Sequence, residues 1–102
     1  MTQVFSEPGN TPHEHIKEKI ENPELNFEQA RDAARKLALT KCKNYMILSW
    51  KNGKTGEFYP NRECGTQKKP AWIHYAEVRG ANLIIDINDG DYIFMILKLE
   101  DS

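Results

Sequence analysis

The chain has 102 residues, 39% hydrophobic and 10% aromatic, with 14 Lys and Arg against 15 Asp and Glu for a formal net charge of −1. That length builds one domain around one core and leaves no room for a large cleft between two lobes. The charge balance lacks the basic excess of a dedicated nucleic-acid or membrane-surface binder, though it leaves a local patch open, and no apolar run nears the ~20 residues that span a bilayer.

Residues 1–24 read as an N-terminal extension, with Pro8, Gly9, Pro12 and Pro23 and few large apolar groups. Its start has no basic n-region and no apolar h-region, so it does not read as a secretory signal. With only Cys42 and Cys64 as cysteines, the expectation is reduced thiols in the cytoplasm. Thr11-Pro12-His13-Glu14 fits a capping box with proline at the first helical position. Ile16 and Ile20 share a face in a helix and also in a strand, so a short helix and an edge strand both stay open.

The domain proper is expected over residues 25–102. Asn26 can cap a helix, with Gln29 three residues on. Ala30, Ala33, Ala34, Leu37 and Ala38 form its apolar stripe, while Arg31, Arg35 and Lys36 fall on other faces. The pattern changes near Lys41 to strand formers, Tyr45 to Trp50. Asn52 to Gly56 is a turn, and Glu57 to Tyr59 starts a returning strand that Pro60 stops. Residues 60–70, between two prolines, are a polar loop. Ala71 to Val78 reads as a third strand, Asn82 to Asn88 as a fourth and Tyr92 to Leu99 as a fifth. The fold class is therefore α+β: one amphipathic helix on a four- to five-stranded, mainly antiparallel sheet.

The last hairpin is the best determined element. Asn88-Asp89-Gly90-Asp91 tolerates positive φ between two runs of strand formers. A two-residue turn at Asp89-Gly90 sets Ile87 opposite Tyr92, Ile85 opposite Phe94 and Leu83 opposite Ile96 on one apolar face. The other face carries Ile84, Ile93, Met95, Leu97 and Leu99 and is too apolar to meet water. One helix cannot cover both faces. The second face, with Ile84, Ile93, Met95 and Leu97, is accordingly expected to be buried by a second copy of the chain, or else by residues 1–24 folding back.

The stretches NPELNFEQAR, LSWKNGKTGEFYP and KPAWIHYAEVRGANLIIDINDGDY resemble a small prokaryotic family classed as a domain of unknown function, over about residues 22–97. The resemblance implies one compact domain of microbial intracellular origin. It implies no activity, cofactor or site residue.

The residues themselves offer several constellations. If the third and fourth strands turn around Gly80, His74 faces Asp86, and Cys64 in the preceding loop could attack as a nucleophile with His74 as base and Asp86 as orienter. The plainer account is a His/Asp hydrogen bond and a free thiol. Cys42, Cys64 and His74, with His13 or His15, could supply metal ligands, but no ligand-pair spacing supports this; no metal and no cofactor are expected. A first hairpin turning around Gly53 would set Cys42 opposite Cys64, yet a reduced pair is the better reading. Gly53-Lys54-Thr55 lacks the leading glycine of a P-loop, and Asp86 to Asp91 lacks the glycine and glutamate positions of an EF-hand. Trp50, Phe58, Tyr59, Trp72 and Tyr75, near Lys51, Lys54, Arg62, Lys68 and Lys69, could stack bases and contact phosphates.

The reading favoured is a small non-enzymatic cytoplasmic binding or interaction domain that forms a homodimer. Its ligand site would use the 60–70 loop with Trp50, Arg62, Trp72, His74 and Tyr75. A Cys64/His74/Asp86 enzyme and a single-stranded nucleic-acid binder are the alternatives, the latter disfavoured by net charge. No membrane partner is expected.

Overall fold

The computed structural model describes residues 14–60 and 70–99. In chain order the elements are β1 (Glu14–Glu18), α1 (Phe27–Leu39), β2 (Asn44–Asn52), β3 (Phe58–Tyr59), α2 (Ala71–Val78), β4 (Leu83–Ile87) and β5 (Tyr92–Leu99). The five strands make one sheet in the order β1-β4-β5-β2-β3. β1 runs parallel to β4, and the other neighbours are antiparallel. The architecture is α+β with a mostly antiparallel sheet.

Helix α1 starts where its sequence dictates. The Asn26 Oδ1 accepts from the Gln29 N–H at 2.9 Å, and Gln29 Oε1 accepts from the Asn26 N–H at 3.1 Å. Two otherwise orphaned backbone donors are thus satisfied reciprocally. Ala30, Ala34 and Ala38 are fully buried against the sheet, and their small size brings the helix axis close to it. At the far end Thr40 Oγ1 donates to the Leu37 carbonyl at 2.6 Å.

The β4–β5 hairpin has the register that its alternation requires: Leu83 pairs with Ile96, Ile85 with Phe94 and Ile87 with Tyr92. All six are buried in the core under α1. The reversal turns on Asp89 and Gly90 as expected, with the Asp91 N–H donating to the Asn88 carbonyl at 3.3 Å, and the strand pairing stops one residue earlier, at Ile87 and Tyr92. Asn88, Asp89 and Gly90 have φ of 57°, 57° and 99° in succession, a left-handed run that Asn, Asp and Gly tolerate best. Asp86 steadies it by accepting the Gly90 N–H at 2.7 Å.

That turn also fastens β1. The Asn88 amide accepts from the Ile20 N–H at 2.7 Å and donates to the Ile20 carbonyl at 3.1 Å. The edge-strand option is therefore realised at residues 14–18, within the stretch read as an extension, and the helical option is corrected there. The helix start at Thr11 to His13 lies outside the described residues. At the other end of β1, Glu14 hydrogen-bonds Lys98 and ion-pairs with Lys41 at 3.1 Å. The Lys98 ammonium, then Lys41, hold the Glu14 carboxyl below its ordinary value. A carboxyl with a depressed folded-state pKa stabilises fully above its unfolded value and loses that contribution as pH falls through the folded value. Glu14→Gln should therefore lower the thermal midpoint slightly at neutral pH, as expected of a solvent-exposed pair. The gap to wild type should close below pH ~4, where the free carboxyl protonates. A gap that persists unchanged well below pH ~4, where both states bind the proton, would refute the electrostatic origin.

Strand β2 contains a bulge. Ile47 pairs with Ile96 and Ser49 with Met95, which leaves Leu48 as the extra residue. The bulge resets the alternation. Tyr45, Ile47 and Trp50 all pack toward α1, while Leu48 joins the cluster on the opposite face.

Residues 71–78 correct the sequence reading: they form helix α2, not a third strand. Trp, Ile, Tyr and Val are strand formers, but Trp72, Ile73 and Ala76 also share one face of a helix. The Pro70 carbonyl accepts the first N–H groups, from Ile73 and His74, at 3.1 Å each. Among the described residues there are thus two helices, one on each face of the sheet. α2 covers β2 and β5, where Trp72, Ala76, Ala81, Leu48 and Met95 form a second buried cluster with Ile84, Ile93 and Leu97 packed against it. The premise that a single helix leaves this face bare is removed. Met95, expected at an interface, is core at 3% exposure.

Candidate functional site

The catalytic constellation rested on a strand register that the fold does not contain. His74 is exposed on α2, and Asp86 lies on β4 beside Lys17 and Ile93. The Asp86 carboxylate is engaged by its own turn. Cys64 lies outside the described residues. The first hairpin pairs Trp50 with Tyr59 and Lys51 with Phe58, which is not the register that would oppose Cys42 to Cys64. Cys42 is a free thiol whose Sγ lies 3.4 Å from the Ala38 carbonyl.

The expected ligand-binding set is divided by the sheet. Trp50 packs on the α1 face, whereas Trp72 is buried under α2 on the other. Tyr75 is half-buried beneath the Arg79 guanidinium, 3.8 Å above its ring. Arg62 lies outside the described residues. Among the described residues no three His, Cys, Asp or Glu side chains are placed to hold a metal ion, and no helix is long and apolar enough to cross a membrane.

Three other features are assembled by the fold. The first is a cavity of about 460 Å³ at the carboxyl ends of β1 and β4, lined by Lys17, Lys19, Asn88, Asp89 and Asp91 among others. Its charges are of both signs, and its one amide is committed to Ile20.

The second is an aromatic row on the α1 face. Phe27 contacts Trp50 with ring centroids 4.5 Å apart, and Trp50 stacks on its cross-strand neighbour Tyr59 at 6.2 Å and 18°. Arg31, one helical turn beyond Phe27, has its guanidinium carbon 5.9 Å from that ring. Tyr59 remains 51% exposed. The aromatic residues were legible as a set, but their division between faces was not, because the Leu48 bulge decides it. Arg31 was missed, since in sequence it is one of several cations on an amphipathic helix.

The third is an apolar strip at the open end of the second face. Met46, 50% exposed, is the cross-strand partner of Leu97, and Leu99 lies two residues further along β5 at 37%. Val78, 65% exposed, closes α2 two residues before Gly80, whose Cβ position would lie 3.8 Å from Leu97. Among the described residues, exposed Met46 and Leu99 thus share a sheet face with Leu97, and exposed Val78 ends the helix that packs on that face, so the apolar exposure is concentrated rather than scattered.

Comparison with known proteins follows the same outline. The model of a domain of unknown function, DUF5619, matches residues 13–96, and therefore takes in β1, beyond the stretch where the sequence resemblance was drawn. The crystal structure of a novel protein from Archeoglobus fulgidus is similar with a TM-score of 0.75 at 30% identity, covering 88% of this chain and 99% of that one. No curated protein matches.

Proposed function

Starting from the chain's membership of the domain of unknown function DUF5619, we propose that it is a small cytoplasmic interaction module without catalysis of its own, and that it pairs with a second copy of itself through the strip around Leu97. The observation that carries this reading is the exposure of Met46 and Leu99 beside Leu97 at one end of the second face, with exposed Val78 at the end of the helix that covers the rest of it. Ile84 and Ile93, half-buried on the same face, extend the apolar surface from the strip. A two-fold contact between identical patches is the commonest way for such a surface to leave water.

The sheet edge is a poorer route to self-association. Strand β1 reads Glu14-His15-Ile16-Lys17-Glu18. An antiparallel pairing with its own copy centred on Ile16 would oppose Glu14 to Glu18 and His15 to Lys17. The carboxylate pairs repel each other, and charged edges of this kind discourage edge-to-edge association.

Val78→Glu is the direct test, because Val78 makes little of the core and the variant should fold. Light scattering after size exclusion should show a dimer for wild type and a monomer for Val78→Glu, with Met46→Glu behaving alike. A wild-type protein that stays monomeric at high concentration would sink the proposal, as would a Val78→Glu variant that stays dimeric.

A further inference from the structure

We infer that the row Phe27, Trp50 and Tyr59, flanked by Arg31, is a stacking site for the bases of single-stranded nucleic acid. The inference is independent of self-association, because this row lies on the opposite face of the sheet from the Leu97 strip.

The row is an unfinished stack. Phe27 is closed in by Trp50, Tyr92 and Phe94. Trp50 is covered on one side by Phe27 and stacks with Tyr59. Tyr59 has no further ring against it among the described residues, and half of it meets water. A planar base can continue such a stack, and it can do so whatever its sequence, because every base has a π-face.

The charge beside the row points to an anionic ligand. Arg35, one turn further along α1, has Asp32 at 3.9 Å. Arg31 has no carboxylate partner among the described residues, and its Nε is shut from water without an acceptor. A guanidinium next to aromatic rings and lacking a carboxylate partner suits a phosphate, which it can engage through its terminal Nη N–H groups, the buried Nε taking no part. A proline-rich peptide would also use exposed rings, but it would leave Arg31 unpaired.

The net charge of −1 sharpens this inference. A basic-patch binder draws its affinity from counterion release at many phosphates. Here stacking supplies most of the affinity, and Arg31 takes one phosphate. The logarithm of the binding constant should then fall with the logarithm of salt with a slope of only about −0.7.

The test is fluorescence anisotropy of a labelled short oligothymidylate and its ribonucleotide counterpart, titrated with the full chain at several salt concentrations. Wild type should bind with that shallow slope. Tyr59→Ala should weaken binding about 5- to 150-fold, the range found for one stacked base, while Tyr59→Phe should keep it. Arg31→Met should bring the slope close to zero. Circular dichroism confirms that the variants fold, as half-exposed Tyr59 leads one to expect. No binding by wild type would overturn the inference, as would Tyr59→Ala binding as well as wild type or a slope several times steeper. So would capture of a proline-rich peptide in place of the oligonucleotide. A mononucleotide bound as tightly as the oligomer would overturn the strand and assign a free nucleotide instead.

Discussion

Phe94→Ala is expected to lower the unfolding free energy by about 3–5 kcal/mol, the usual range for removing a buried aromatic side chain. Phe94 is fully buried and is the largest side chain so enclosed among the described residues. It lies on β5, between its cross-strand partners Ile85 and Trp50, with the Phe27 ring 5.6 Å above it. The void left by alanine has few ways to collapse. β5 is held by a strand on each side, and α1 already lies close on fully buried alanines. A domain of this size has roughly 5–15 kcal/mol in all, so the variant should be near the limit of folding. Urea denaturation of wild type and variant measures the loss directly. A loss below about 1 kcal/mol, within the scatter of surface changes and small trims, would mean that Phe94 is not enclosed as described.

Gly53→Ala is expected to cost as much as many core deletions, although Gly53 is exposed. A Cβ there would lie 2.1 Å from the Gly90 carbonyl oxygen and 3.2 Å from its carbon. The obstruction is backbone, so no rotamer change relieves it. The same residue donates its N–H to the Asp91 carbonyl at 2.7 Å, and separating the turns to admit a methyl group would stretch that bond. Overpacking of this kind costs typically 1–3 kcal/mol, which for a domain near this size lowers the thermal midpoint by about 4–8 °C per kcal/mol. Gly56 is the matched control. Its φ is +88° but nothing lies within 4 Å of its Cβ position, so Gly56→Ala carries only the strain of a left-handed residue, about 1–2 kcal/mol. A midpoint unchanged by Gly53→Ala would show that the two turns do not touch.

What could be read from the sequence was local. The Asn26/Gln29 cap, the alanine stripe and the register of the last hairpin depend on residues a few positions apart, and all are present in the structure. Segments 14–20 and 71–78 were not decidable in the same way. A four-residue repeat of apolar groups suits either a helix or a strand in the first. In the second, eight residues rich in strand formers form a helix because tertiary packing on Leu48 and Met95 outweighs propensity. The bulge at Leu48 left no sequence signal. Since it determines which side of the sheet receives Trp50, the grouping of Trp50 with Trp72 could not be corrected from sequence alone. The Leu97 strip was half legible: the apolar second face was foreseen, but the helix that narrows it to its open end was not.

The Asn88 side-chain amide holds both backbone groups of Ile20, a residue 68 positions away. With Glu14 at the other end of the strand, it closes most of the chain into a ring made without a covalent link. The entropy of closing a ring grows only with the logarithm of its length, so each doubling costs about 0.6 kcal/mol more. The length of the enclosed chain is accordingly a weak variable. An exposed turn such as residues 53–57 away from Gly53 can gain residues at little thermodynamic cost, whereas the clasp itself has no such latitude. In this topology tolerance to insertion and intolerance to substitution belong to different places: the first to the circumference of the ring, the second to the Asn88 amide, whose paired donor and acceptor shut it.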